Sequence, residues 1–197
     1  DGSMVDMIDR LCDRLNFSGI NITQPFLLAG YLPQIDVKNE ARLDLDALEM
    51  YMMMRTEAYE AAAEVYYHGH NSVANDSINT LSALETFFDR DKDNVPKKLI
   101  SDALSQTGEY ATTATRGQLA EIVRRILQTM VSFNAVLAYM ESSVKECQDG
   151  SIEKAKRDWD QAAAYFVGSI EGPLASGQAN GQGEWMYALG NEFCDEF

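Results

Sequence analysis

From Leu43 to His68 the chain runs without proline or glycine, and Gly69 follows at once. This stretch predicts one long helix. Gly69 suits its C-terminal stop, because only glycine takes the left-handed conformation there at little cost. At about 100° per residue, Leu45, Leu48, Met52, Tyr59, Ala63 and Tyr66 share one stripe, the expected core seam. Met50, Met53, Met54, Ala61 and Tyr67 fall away from that stripe. Apart from its carboxylates and Arg55, the helix is therefore apolar nearly all round. A helix of that kind is usually buried, so the fold has to cover it.

The rest of the chain offers helices to do so. Met4, Met7, Ile8, Leu11 and Leu15 predict a short amphipathic helix over 4–15. Pro25, Gly30 and Pro33 mark residues 16–41 as irregular. Asp76 or Ser77 can cap a helix through Phe88. "DRDKDN" at 89–94 is a charged turn, and Pro96 suits the first turn of a helix over 96–106. Ile122, Ile126, Thr129, Phe133, Val136 and Met140 recur at spacings of three and four within a long helical stretch, Thr115 to Cys147. Asp149-Gly150-Ser151 breaks it, and a further helix covers 151–167. A glycine-rich loop and a short apolar turn from Trp185 to Leu189 close the chain. No convincing β-alternation and no internal repeat occur. The expectation is an all-α bundle of five or six helices in a single domain, 1–197.

Charge narrows the function. With 31 acidic against 16 basic residues, the net charge is −15. That excludes a nucleic-acid footprint, which phosphates require to be basic, and disfavours anionic membranes. It favours cationic partners, metal ions included. No apolar run is long enough to span a membrane. Cys12, Cys147 and Cys194 form an odd set whose pairing stays open. Sequons begin at Asn16, Asn21 and Asn75, a weak signal for secretion. Asp1-Gly2-Ser3 is not a natural start, so a piece of a longer extracellular protein is expected.

The candidate chemistry sits at the end of the long helix. Glu57, Glu64 and His68 lie together on it, with Glu60 on their flank and Tyr67 adjacent. Spacings of three and four aim their oxygens and imidazole at one place. If buried, these carboxylates need a partner: Arg124 or Arg125, His68, or a bound cation. Hard oxygens with tyrosine and one histidine suit Fe³⁺ better than Zn²⁺ or Cu⁺. The alternative is a solvated helix face, where the same glutamates serve solubility. A di-iron carboxylate oxidase is disfavoured, since Glu-x-x-His on two helices is absent. HExxH, CxxC, GxGxxG, P-loop and GxSxG patterns are absent too, so no catalytic residues are assigned. In "RDWDQAAAYFVGSIEG", 157–172, Trp159, Ala163 and Phe166 read as core packing, while Tyr165 and Glu171 are further candidate ligands. The methionines of 50–54 read as adaptable core filling.

Three stretches resemble a known family. "VYYHGHNS" at 65–72 is similar to the tyrosine–glycine–asparagine–serine turn of the algal iron-assimilation (FEA) domain. "DWDQAAAYFVGSIEG" at 158–172 resembles its tryptophan-containing helix and glycine–serine loop. "MYALGNEFCDEF" at 186–197 resembles its closing segment. The family includes high-CO2-inducible periplasmic proteins and is related to phytotransferrins. The resemblance implies a secreted, periplasmic or cell-surface protein of iron acquisition. It implies Fe³⁺ binding, with carbonate as synergistic anion in phytotransferrin-like members, and no catalytic turnover. Carried over by position, Glu57, Glu60 and Glu64 match its acidic E-x-x-E pattern. Tyr67, Gly69, Asn71 and Ser72 match the turn, and Glu171 the later loop. His68 and His70 depart from the pattern. The competing expectation is a structural or adhesion domain of the cell surface, without metal and with protein partners.

Overall fold

The expected helix over Leu43–His68 is two helices. The computed structural model describes residues 27–72, 80–88, 95–108, 113–169 and 184–194. The predicted helix over 4–15, Cys12, the sequons, the Asp76/Ser77 cap, the 89–94 turn, Glu171 and most of the glycine-rich loop lie outside them. The described residues are all α, as expected. Their elements are α1 (Lys38–Ala41), α2 (Leu43–Arg55), α3 (Tyr59–His68), α4 (Leu81–Leu84) running into a 3-10 turn (Glu85–Phe88), α5 (Val95–Leu104), α6 (Arg116–Ile126), a π-helical segment (Leu127–Ser132), α7 (Phe133–Gln148), α8 (Ile152–Val167) and α9 (Met186–Cys194).

The break between α2 and α3 is a complete Schellman motif built without glycine. Ala58 N–H donates to Met53 O and Glu57 N–H to Met54 O, at 2.9 and 3.1 Å. Glu57 holds the left-handed position at φ 67°. Thr56 adds a hydroxyl bond to Met53 O, a side-chain competitor to the helical ladder. A side chain in that conformation costs about 1–2 kcal/mol that glycine avoids. The Glu57→Gly chain is therefore expected to be about 1 kcal/mol more stable than Glu57→Ala. Both lose the carboxylate, so urea midpoints compare the backbone alone.

The break also corrects the seam. On α2 the buried positions are Leu43, Asp44, Asp46, Ala47, Met50 and Met54, whereas Met52 is exposed. Two aspartates hold core-facing positions, and the apolar face turns to accommodate them.

Elsewhere the helix ends follow local signals. Thr80 Oγ1 accepts from Ala83 N–H ahead of α4. Pro96 lies in the first turn of α5. Thr115 and Gln118 form a capping box at α6. From Arg116 to Gln148 the chain is helical throughout, with the π segment inserted midway. Gly150, at φ 81°, turns α7 back into α8, and Ser142 and Ser143 stitch this hairpin to Asp158 and to Ala155 O. The apolar turn expected over 185–189 is the start of α9.

The main core gathers Met50, Met54, Tyr66, Ile100, Val123, Leu127, Val131, Val136 and Trp185. A second core joins Leu28, Val37 and Ala41 to Ala164 and Val167 of α8. Ala163 and Phe166 pack as expected, but Trp159 is 43% exposed: its heptad partner Ile152 is exposed as well, so that stripe of α8 is uncovered at this end.

Candidate functional site

The acidic residues singled out on the long helix do not meet in one pocket. Glu57, carried on the break, reaches across to Arg116 at 2.8 Å. Glu64 and His68 face each other at 3.6 Å, both largely exposed. Glu60 is exposed, and so is Tyr67, whose ring meets Tyr66 edge-on. Tyr165 is buried, stacked on Tyr139 at 5.5 Å. Among the described residues no group of three or more His, Cys, Asp or Glu side chains is arranged to hold a metal ion.

The acids that are buried are others: Asp44, Asp46, Asp158, Asp160 and Glu184. Asp44 and Asp46 stand two residues apart near the start of α2, and each anchors the turn that follows another helix. Asp46 holds the turn after α3. Its Oδ1 accepts from Asn71 N–H (2.6 Å), Asn71 Nδ2 (2.9 Å) and His70 N–H (3.3 Å). Its Oδ2 accepts from Ser72 Oγ at 2.5 Å. At the rim, Glu49 takes Asn71 Nδ2 at 2.9 Å and lies 2.8 Å from His70 Nδ1. That hydrogen bond, with the charge of Glu49, holds the His70 pKa above the usual imidazole value.

Asp44 holds the turn after α8. Its Oδ2 accepts from Ser169 N–H (2.9 Å), Ser169 Oγ (3.0 Å) and Glu184 N–H (3.3 Å). Burial pushes its carboxyl up to about 7 against the pull of those donors. The two anchored turns begin alike. Gly69 donates to Val65 O and Gly168 to Ala164 O, both at 2.8 Å, with φ of 70° and 74° and extended ψ. Such a backbone is nearly exclusive to glycine.

Beside Asp44, the Glu184 carboxylate takes Arg124 Nε at 2.5 Å and Nη2 at 3.1 Å. Gln128 of the π segment donates to Glu184 O at 2.6 Å. The Arg124 guanidinium lies 4.9 Å from the Tyr51 ring centre. Asp160 accepts from Tyr31 Oη and from the amides of Gln34 and Ile35, fastening the residues before α1 onto α8. Burial, opposed by those bonds, raises its pKa.

No family model, curated protein or solved structure matches the chain. The turns and helix ends around the start of α2 lie close together. The 70–72 turn sits on Asp46, Ser169 on Asp44, and α9 follows directly from Glu184 and Trp185. Sequence reasoning passed over Asp44 and Asp46 because it weighed the longer acidic run of glutamates. The available signal was "LDLDAL", two acids among leucines with no basic residue three or four positions on.

Proposed function

We propose that the chain is a secreted or cell-surface helical module that works by binding rather than turnover, with protein contacts as its first role. One observation carries this: exposed apolar side chains repeat at heptad spacing on the α7–α8 hairpin, Leu137 with Val144 and Ile152 with Trp159. Large apolar patches left in water mark interaction surfaces, and these two pairs lie on neighbouring helices. The buried acids favour the same reading, since each accepts hydrogen bonds that fasten one part of the chain to another. Among the described residues no helix is long and apolar enough to cross a membrane.

A second reading is ferric iron binding for iron acquisition. The Glu64–His68 pair, with Glu60 and Tyr67 on the same exposed helix, favours it, as do the net charge of −15 and the FEA resemblance. Glu57 and Glu171, with carbonate, belong to this reading through the resemblance.

Titration with Fe³⁺ in bicarbonate, followed by visible absorbance and elemental analysis, separates the two. The expected result is no metal above background in the wild type or in a Glu60→Ala, Glu64→Ala variant. Stoichiometric iron lost in that variant would replace the first reading by the second, and a phenolate charge-transfer band would add Tyr67 to the shell.

A further inference from the structure

Asp44 uses its two oxygens unequally. Oδ2 accepts three hydrogen bonds, while Oδ1 is buried and has no partner among the described residues. An ionised carboxylate spreads its charge over both oxygens, so half of that charge sits on a buried atom without a donor. A neutral carboxyl avoids burying that charge: with a proton on Oδ1, Oδ2 remains the acceptor for Ser169 and Glu184. In Asp46, by contrast, both oxygens accept.

Among the described residues, the charged groups on the surrounding elements offer Asp44 no cation. The Glu184 carboxylate is held by Arg124 of α6, which also lies 3.7 Å from Glu121. Asp46 of α2 is directed to the 70–72 turn. On α1, Glu40 accepts from Gln161, and Lys38 is near Asp36. The end of α8 contributes only Gly168 and Ser169.

We propose that Asp44 is a proton-operated latch: its neutral carboxyl joins the end of α8 and the start of the last helix to α2, and ionisation loosens that join. The folded carboxyl titrates at about 7, above its ordinary value of 3.8. For an acid shifted upward, the folded state holds the extra proton. Its contribution to stability is complete below about pH 4, and is lost as pH rises through about 7. Trp185 reports the change. It is fully buried, and its Cδ1 lies 3.0 Å from where a side chain at Gly168 would begin, beside Asp44.

The test uses a Trp159→Phe background, which leaves Trp185 as the only tryptophan. Emission and acrylamide quenching are followed from about pH 5 to about pH 9, a range spanning the expected transition. The expected result is a red shift and stronger quenching with a midpoint near neutrality, absent in Asp44→Asn. Ser169→Ala removes one donor to the carboxylate and should move the midpoint upward. His68→Gln and His70→Gln should leave it in place. A flat wild-type profile, a transition that survives in Asp44→Asn, or one that disappears with either histidine overturns the latch. Should Asp44→Asn fail to fold, an unmoved midpoint in Ser169→Ala overturns it equally.

Discussion

Asp46→Ala is expected to lose about 3 kcal/mol of folding stability, the loss of several hydrogen bonds to one buried carboxylate. The carboxylate is fully buried and accepts from His70, from both nitrogens of Asn71 and from Ser72. Alanine removes every one of those acceptor contacts; Asn71 Nδ2 keeps Glu49, while the amide donors of the turn lose their acceptor, each at a cost of about 1–3 kcal/mol where water cannot reach. Asp46→Asn keeps the shape and one acceptor oxygen, and its new amide can donate to Ser72 Oγ. It should retain about half the loss. Urea unfolding gives the difference, and amide exchange at Asn71 localises it. A loss below about 1 kcal/mol for alanine would mean that the turn holds itself.

The second large effect is at Gly168. A side chain there would begin 2.4 Å from Asp44 Oδ2 and 3.0 Å from Trp185 Cδ1. The backbone, φ 74° and ψ −154°, adds strain of about 1–3 kcal/mol for any residue with a Cβ. Gly168→Ala therefore combines strain with displacement of a buried carboxyl and should cost about 3 kcal/mol or more. Gly150→Ala is the control. Gly150 also has positive φ, 81°, but open space around it. Its substitution should cost only about 1–2 kcal/mol. Equal losses at the two sites would show that the crowding at Asp44 relaxes freely.

These sites explain how far the sequence could be read. Where a local signal uses its customary residue, the expectation held: Gly69 ends α3, Pro96 opens α5, and Asp149-Gly150-Ser151 turns the α7–α8 hairpin. The break after Arg55 was hidden because a glutamate occupies the left-handed position where glycine is the usual marker. The seam of α2 was misjudged for a related reason. Helical periodicity assigns acids to the solvent side, whereas Asp44 and Asp46 are buried by donors supplied from Ser169, Glu184, Asn71 and Ser72, far along the chain. No window around residue 45 contains them. Glu57, Glu60 and Glu64 look like a ligand set on a helical projection, yet Glu57 sits on the break before α3 and reaches to Arg116, and the projection cannot show that.

The π segment has a consequence of a different kind. It acts on the face of the helix that follows as an inserted letter acts on a reading frame. Wound as ordinary α-helix at the same length, Leu127–Ser132 would turn by about 100° more, and everything after it would rotate by that angle. Val136 and Ser143, which are buried, would then take the directions now held by the exposed Leu137 and Val144. The apolar row that α7 presents to water is thus a frame-dependent property, set by the winding of the segment before it as much as by the residues in the row.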